Sequence, residues 1–316
     1  MKIGFIGGGG TVGSTAAFRV AALARVDEVV LIDARDNVAR AHAMDLELTL
    51  ADLGRSEPAG QSGRDVVIRA GGWADLTESD IVVLSASVPE RNVASRDEYL
   101  GANVAIVRDA ANHLARRCPH AVVVVATNPV DVFTGALSHW TGMPARRFVG
   151  FSRNDTVRLR WAVARALGAR SADVGAVVLG EHGDLQVPLL DRVTVRGRAV
   201  TLTAEQQAAV SRDIRDWFAS YQVLQSGRTS GWVSGVGLGE VVGALLSGTG
   251  EPIPCSAMLA GEYGFSEVSL GVPARLGPEG VREVVELSLT PAQHELLAAA
   301  AAKVKAATDA VLAERS

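Results

Sequence analysis

The sequence of 316 residues has little cysteine, no long hydrophobic run and no large surplus of either charge. Its two cysteines, Cys118 and Cys255, form neither a metal-ligand spacing nor a disulfide framework, so we expect a reducing compartment. No run reaches the roughly 20 apolar residues that span a bilayer, and residues 1–10 are too short and glycine-rich for a signal peptide. The net charge of −4 gives no electrostatic attraction to nucleic acid. These absences predict a cytoplasmic protein that binds neither nucleic acid nor membrane and has no metal site.

The N-terminal half alternates short apolar segments with helical patterns. The predicted strands are Lys2–Ile6, Val29–Asp33, Val66–Arg69, Ile81–Ser85, Val122–Ala126 and Phe148–Gly150. The predicted helices between them include Val12–Ala24, Val38–Leu53, Arg96–Arg116 and Val130–Trp140. Strands that are apolar on both faces are typical of a parallel sheet covered by helices on two sides. We therefore predict an α/β fold, with a Rossmann-type, doubly wound parallel sheet over residues 1–150.

The pattern changes after about residue 150, although no flexible linker marks the change. Helices are predicted over Asp155–Leu167, Ala204–Leu224, Gly235–Ser247 and Pro291–Arg315. Strands are predicted over Val174–Leu179 and Leu189–Ala199, with a turn at Arg196–Gly197, and a strand pair within Val268–Leu276. The last helix follows Thr290, a favourable N-cap before a proline. We expect residues 151–316 to form an α+β catalytic domain packed tightly on the first.

A glycine-rich turn directly follows the first predicted strand. Gly8, Gly10 and Gly13 form the pattern G-x-G-x-x-G at the start of a helix. We predict that Gly8 permits the tight turn, Gly10 leaves room for a pyrophosphate and Gly13 allows the helix to pack closely on the sheet. Thr11 and Val12 open this helix, whose N–H groups and partial positive charge attract phosphates. The turn therefore predicts a dinucleotide site.

An acidic residue stands where that site needs one. Asp33 ends the second predicted strand, about 20 residues after the turn, and its carboxylate can accept hydrogen bonds from ribose hydroxyls. The same charge would repel a 2′-phosphate, so NAD is favoured over NADP. Arg35 is close enough in sequence to weaken that preference.

Four further segments carry polar side chains where loops should leave strands. They are Ala86–Asn103, Thr127–Asp131, Asn154–Arg158 and Leu179–Asp184. Reduction of a 2-oxo acid needs a proton donor near neutral pH, a partner that orients it, and cations for the carboxylate and the carbonyl. A histidine suits the first task and arginines suit the last two, because a guanidinium makes two parallel hydrogen bonds to a carboxylate.

The chain supplies one candidate for each task. His182 lies in a glycine-flanked turn after a strand, and Asp155 and Arg158 are three residues apart at a helix start, so they share a face. Arg96 follows a loop after the fourth strand, and Asn128 ends the fifth strand, where ligands gather in open α/β sheets. Taken singly, each of these residues is also compatible with an ordinary surface, ion-pair or turn position.

At these residues the chain resembles the lactate/malate dehydrogenase family. The resemblance spans essentially the whole chain, and the segments that carry it are IGGGGTVGS, LID with Asp33, AMDL at Ala43–Leu46, TNPVD, LGEHGD and AGEYG at Ala260–Gly264. The resemblance implies an NAD-dependent L-2-hydroxy-acid dehydrogenase, with malate and oxaloacetate as the leading pair. It also implies a homodimer or homotetramer.

By matching position, the resemblance implies a role for each site residue. His182 would be the acid/base and Asp155 its partner, while Arg158 would bind the substrate carboxylate. Arg96 would polarise the carbonyl from a mobile loop. Asn128 would contact substrate and nicotinamide, and Thr229 in GRTSG would line the pocket near the substrate side chain.

The substrate loop departs from the family's pattern. Asn92–Val93 replaces the usual Pro-Gly pair, and Glu90 then Arg91 follow Pro89, where malate enzymes have arginine and lactate enzymes glutamine. Glu90 would repel a second carboxylate and would suit an unusual side chain, bulky or cationic. Alternatively the loop shifts by one residue and Arg91 makes the contact, or both side chains are solvated. A lactate-like substrate is therefore the main alternative.

Two other classes of function remain as alternatives. An NAD-dependent glycosidase on a related fold would need a metal, and neither cysteine lies beside a loop histidine in a plausible metal site. A catalytically inactive NAD-binding protein would not need the complete set of His182, Asp155, Arg158 and Arg96.

Overall fold

The computed structural model describes residues 1–23, 25–56, 66–88, 96–226, 229–248 and 250–314. Within these ranges, the side chains of residues 54–56, 96–99 and 218 are not described. No helix among the described residues combines the length and hydropathy that a membrane span requires.

Six parallel strands and four helices form the first half of the described chain. The strands are β1 (Lys2–Ile6), β2 (Glu28–Ile32), β3 (Val67–Ala70), β4 (Ile81–Leu84), β5 (Val122–Val125) and β6 (Phe148–Gly150). The helices are α1 (Thr11–Ala21), α2 (Asp36–Ser56), α3 (Arg96–Arg117) and α4 (Val130–Thr141). The strand order β3-β2-β1-β4-β5-β6 reverses direction after β1, so a crevice opens at the carboxyl ends of β1 and β4. This confirms the predicted doubly wound sheet.

The second half adds mostly antiparallel strands and four more helices. The strands are β7 (Val174–Gly175), β8 (Val178–Gly180), β9 (Gln186–Pro188), β10 (Thr194–Val195), β11 (Arg198–Ala199), β12 (Ile253–Ala260), β13 (Ser266–Gly277) and β14 (Gly280–Val284). The helices are α5 (Arg153–Leu167), α6 (Ala204–Val223), α7 (Trp232–Ser247) and α8 (Pro291–Ala313). Strand β12 pairs with β6 and β13, so the parallel sheet continues into β12-β13-β8-β9. Strands β7, β10 and β11 form a separate small sheet.

The central sheet is buried on both faces because its strands are apolar at every position. In β5, Val123 and Val125 belong to the core under α3, α4 and α8, while Val122 and Val124 belong to the core under α1 and α7. All four valines are fully buried. Successive side chains of a strand point to opposite faces, so a run of valines serves both cores at once.

Glycines at every fourth position of α7 bring that helix directly onto α1. A Cβ at Gly235 would lie 2.4 Å from Thr15 Cγ2, and a Cβ at Gly239 would lie 2.2 Å from Arg19 Cγ. Just before α7, a Cβ at Gly231 would lie 2.5 Å from Thr11 Cγ2. We call Gly231, Gly235 and Gly239 the glycine ridge. It places the beginning of α7 beside the beginning of α1.

Several predicted elements of the second half were wrong in detail. The predicted strand Val174–Leu179 is broken into β7 and β8, which belong to different sheets. Most of Leu189–Val193 is not strand, because a short 3-10 helix covers Leu190–Arg192. The turn at Arg196–Gly197 is confirmed: both residues have positive φ and join β10 to β11. Strands β12 and β14 were not predicted.

Candidate active site

His182 and Asp155 form a close contact at the end of β8. The turn after β8 carries His182, and the first turn of α5 carries Asp155. The imidazole Nδ1 lies 2.6 Å from Asp155 Oδ2. The Asp155 side chain is 5% exposed and that of His182 is 21% exposed, so the carboxylate is buried while part of the histidine side chain is accessible. This arrangement fixes Nδ1 on the carboxylate and leaves Nε2 as the nitrogen that can meet a ligand.

Two further side chains contact Asp155 and orient it. Its Oδ1 accepts a hydrogen bond from Gln186 Nε2 at 3.2 Å and lies 3.4 Å from Arg158 Nη1. The guanidinium of Arg158 lies 5.0 Å from the ring centre of Trp217 on α6, in a cation–π contact. Arg158 is therefore held between a carboxylate edge and an aromatic face.

The backbone of the turn that carries His182 is held by residues other than those that contact the imidazole ring. The His182 backbone N–H donates to Asp131 Oδ2 at 2.7 Å, across from α4. Glu181 accepts from the Leu185 N–H at 3.0 Å and pairs with Lys303 of α8 at 2.6 Å. The turn is thus tied to two helices as well as to α5.

The charges around His182 determine its protonation. Burial by itself disfavours the imidazolium, but the carboxylates of Asp155 and Asp131 and the hydrogen bond to Asp155 outweigh it, so the pKa of His182 is raised above its ordinary value. Arg158 acts in the opposite direction. Burial also raises the pKa of Asp131 to about 6, although the hydrogen bond from the His182 N–H opposes this shift.

The glycine-rich turn fits a pyrophosphate at the start of α1. Gly10 is the N-cap residue, no side chain caps the helix, and its first turn has no acidic residue, so its N–H groups are free of competing carboxylates. A Cβ at Gly13 would lie 2.2 Å from the Gly7 carbonyl oxygen, which explains the close packing of helix and turn. The positive φ of the turn lies at Gly7, at +88°, one residue before the predicted Gly8, which packs against Leu31 instead.

Asp33 lies beside this turn, at the carboxyl end of β2. Its Oδ2 accepts the Gly9 N–H at 3.0 Å, and its Oδ1 accepts from the Arg35 backbone N–H at 3.0 Å. The Arg35 side chain also lies against Asp33 Oδ1, at 3.2 Å. The turn, the uncapped helix and this carboxylate together fit a dinucleotide, with phosphates at Gly10–Val12 and a ribose at Asp33.

Asn128 and Thr229 are linked to the same region through other residues. The Asn128 carbonyl accepts from Asn103 Nδ2 at 3.0 Å, and Asn103 Oδ1 accepts the Val88 N–H at 2.9 Å. Asn128 also stands three residues before Asp131, which holds His182.

Thr229 precedes Ser230, whose carbonyl accepts from Ser234 Oγ at 2.9 Å. Asn154 Nδ2 donates to the same Ser234 Oγ at 2.9 Å, and Asn154 precedes Asp155. The contacts therefore connect the loops after β4, β5, β6 and β8 with the start of α7.

Part of the predicted substrate site lies outside the described residues. Glu90 and Arg91 are among them, and Arg96 is placed only as the first residue of α3, without its side chain. Arg153 forms an ion pair with Glu240 of α7, so its charge is compensated there. It also lines a cavity of about 530 Å³ with Trp161 and Trp232. No group of three or more His, Cys, Asp or Glu residues is placed to hold a metal ion within the described ranges.

Sequence reasoning missed Asp131, Gln186, Asn103 and Trp217. Asp131 was visible as the last residue of TNPVD, and Gln186 follows LGEHGD by two residues. Their contacts are to a backbone N–H and to an already paired carboxylate, which no spacing rule reveals. Asn103 and Trp217 lie on helical faces and carry no local signal.

Comparison with known proteins identifies the family. The family model for the lactate/malate dehydrogenase NAD binding domain matches residues 1–150, and the one for the lactate/malate dehydrogenase alpha/beta C-terminal domain matches residues 153–315. A malate dehydrogenase of Halobacterium salinarum is 34% identical over 311 residues, which cover 98% of this chain and 99% of that protein.

Two solved structures show the same fold over nearly the whole chain. A lactate dehydrogenase of Cryptosporidium parvum, complexed with lactic acid and nicotinamide adenine dinucleotide, is 28% identical with a TM-score of 0.89 and covers 99% of this chain and 98% of its own. A malate dehydrogenase of the same organism is 27% identical with a TM-score of 0.88 and covers 98% of each chain. Since both halves match along their length, the chain belongs to the lactate/malate dehydrogenase family and is an NAD-dependent oxidoreductase that acts on a 2-hydroxy acid.

Proposed function

We propose that the chain interconverts L-malate and oxaloacetate, with His182 as the acid/base. The observation that carries the role of His182 is its 2.6 Å contact with the buried Asp155 carboxylate, which engages Nδ1 and leaves Nε2 for a ligand. The preference for malate is supported by relatives named malate dehydrogenase, at 34% and 33% identity over nearly the whole chain.

The proposed division of labour follows from the contacts. NAD supplies the hydride for reduction and accepts it in oxidation. His182 donates a proton to the carbonyl oxygen of the 2-oxo acid and takes it back from the 2-hydroxy acid, while Asp155 orients the ring and stabilises its positive charge. Arg158 binds the substrate carboxylate with its fork, held in place by Trp217.

The remaining roles are proposed from the places of the residues in the sequence and in the fold. Arg96, at the start of α3, polarises the carbonyl, and Asn128 contacts both substrate and nicotinamide. Thr229 lines the side-chain pocket, together with Glu90 or Arg91. Gly8, Gly10, Thr11, Val12, Gly13 and Asp33 hold the dinucleotide. Residues 1–150 form the NAD domain, and residues 151–316 form the catalytic domain.

Two further proposals concern the protein as a whole. We propose a homodimer or homotetramer, supported by large apolar side chains that are exposed on α2 and α7. A cytoplasmic location is supported by Cys118 and Cys255, which are unpaired buried thiols.

Replacing His182 tests the proposed mechanism. We expect His182→Asn to lower kcat/KM for reduction by about 100- to 10,000-fold, because the proton donor is lost, while NADH affinity stays near that of the wild type. Stopped-flow kinetics and NADH fluorescence titration measure the two quantities. Wild-type turnover in the variant would refute the role of His182.

A panel of 2-oxo acids tests the proposed substrate. We expect the highest kcat/KM for oxaloacetate, compared with pyruvate and with a 2-oxo acid that has a basic side chain. Two variants identify which residue lies next to the second carboxylate of oxaloacetate. If it is Arg91, Arg91→Gln should lower the selectivity for oxaloacetate. If it is Glu90, Glu90→Arg should raise that selectivity. A higher kcat/KM for pyruvate or the basic acid would contradict the assignment to malate.

A further inference from the structure

We propose that Asp131 is a positioning residue for His182, which it holds through the main chain and whose positive charge it stabilises. This inference rests on the proposed role of His182 as the acid/base.

Asp131 and Asp155 hold the same histidine at two different points. Asp155 contacts the ring, at 2.6 Å from Nδ1, whereas Asp131 accepts the backbone N–H at 2.7 Å. Asp155 belongs to α5 and Asp131 to the first turn of α4, so the two carboxylates come from opposite halves of the chain. Because Asn128 precedes Asp131 by three residues, this bond also fixes His182 relative to Asn128.

A backbone N–H does not by itself require a charged acceptor. Asp131 is 2% exposed, its Oδ1 has no hydrogen-bond partner, and none of the ion pairs among the described residues includes it. An isolated buried carboxylate is costly, and an amide or a hydroxyl would accept the same N–H without that cost. The cation that Asp131 stabilises is His182 itself when protonated, since the charge of this carboxylate raises the pKa of the ring.

The other charges near His182 come from three elements. Helix α5 supplies Asp155 and Arg158, and the histidine's own turn supplies Glu181 and Asp184. Glu181 is paired with Lys303 of α8, so its charge is compensated.

Among the described residues, the neighbouring strands contribute two uncharged groups to this region. These are Gln186 on β9, which contacts Asp155, and Ser256 on β12, which lies near Asp131. Asp131 is therefore a second carboxylate that favours the imidazolium, and unlike Asp155, which contacts Arg158, it takes part in none of the ion pairs among the described residues.

Neutral variants of Asp131 separate a charge effect from a purely structural one. Asp131→Asn keeps an acceptor for the His182 N–H and removes the charge. We expect the pH at which kcat/KM for 2-oxo acid reduction declines to fall by at least half a unit, so that the ratio of activity at pH 8 to activity at pH 6 drops severalfold. NMR titration of the His182 ring in the NADH complex should show the same downward shift.

The controls make each result decisive. Thr134→Val, which changes another buried polar residue of α4, should leave the profile unchanged. The proposal would be overturned if Asp131→Asn left two quantities unchanged: the pH at which kcat/KM declines and the pH at which the His182 ring titrates. This holds whatever the loss of rate. If that variant does not fold, Asp131→Ser provides a smaller neutral acceptor for the same measurements. If kcat/KM of His182→Asn still declines at the same pH as in the wild type, the proposed role of His182 as the acid/base is wrong instead.

Discussion

At the scale of single residues, the site depends on contacts between positions that are distant in sequence. His182 and Asp155 are 27 residues apart, and His182 and Asp131 are 51 apart. The sequence predicted His182, Asp155 and Arg158 as candidates because their residue types match the chemistry and their segments match a family. It did not predict the role of Asp131, since an acid in the first turn of a helix is ordinary and its partner here is a backbone group.

The raised pKa of His182 predicts opposite pH dependences for the two reaction directions. Reduction needs the imidazolium, so its kcat/KM should fall as pH rises through the pKa of His182, whereas oxidation of the hydroxy acid needs the neutral ring and should rise there. Because the carboxylates outweigh burial and raise this pKa, both inflections should lie above the ordinary value of 6.5. Initial rates from pH 5 to 10 in both directions measure this. An inflection at or below pH 6.5 would contradict it.

At the scale of elements, the apolar pattern of a strand can be recognised in the sequence, whereas the strand with which it pairs cannot. Strand β5 was predicted because four consecutive valines leave little alternative, and all four are buried. Strand β12 was not predicted, and it contains Pro254, a residue type that usually argues against a strand. In the fold, Pro254 stands opposite Pro273 of β13, so two residues without N–H groups face each other in the pair.

The glycine ridge allows a sharp test of element packing. Gly235→Ala places a Cβ 2.4 Å from Thr15, so we expect it to lower the free energy of unfolding by about 1–3 kcal/mol. Gly243→Ala on the same helix is the matched control. Its Cβ would meet nothing closer than Leu23 at 3.9 Å, so the better helix propensity of alanine should leave stability unchanged or raise it by up to about 1 kcal/mol.

Urea denaturation monitored by circular dichroism compares these two variants with the wild type. Equal stabilities for Gly235→Ala and Gly243→Ala would show that the two helices can separate without cost.

At the scale of the whole molecule, the two halves share one sheet. A single register pair, Ser256 with Gly150, joins the antiparallel strands to the parallel ones. The sequence predicted two folding patterns on either side of residue 150, and both occur. It could not predict that hydrogen bonds continue between them, because pairing between remote strands leaves no local trace. The boundary between two domains at residue 150 stays a prediction.

Exposed apolar side chains support the proposed assembly. Met44 and Leu48 on α2 are 69% and 73% exposed, and Trp232 on α7 is 70% exposed. We expect sedimentation velocity to give two or four times the 33.0 kDa chain mass. Leu48→Glu should shift the distribution toward the monomer, because a charge buried in an interface is costly, whereas Leu296→Glu on α8 should not. A monomer at micromolar concentration in the wild type would contradict the proposal.

The glycine ridge also has a consequence for ligand binding. It sets the start of α7, two residues after Ser230, against the start of α1, where the phosphates of the dinucleotide are expected. Because α1 and α7 are in such close contact, a displacement of either helix would move the other. Whatever factor the dinucleotide applies to the affinity for the hydroxy acid, the hydroxy acid must apply equally to the affinity for the dinucleotide. A larger side chain at Gly235 or Gly239 would change the size of that factor, while the two affinities would still change by the same amount.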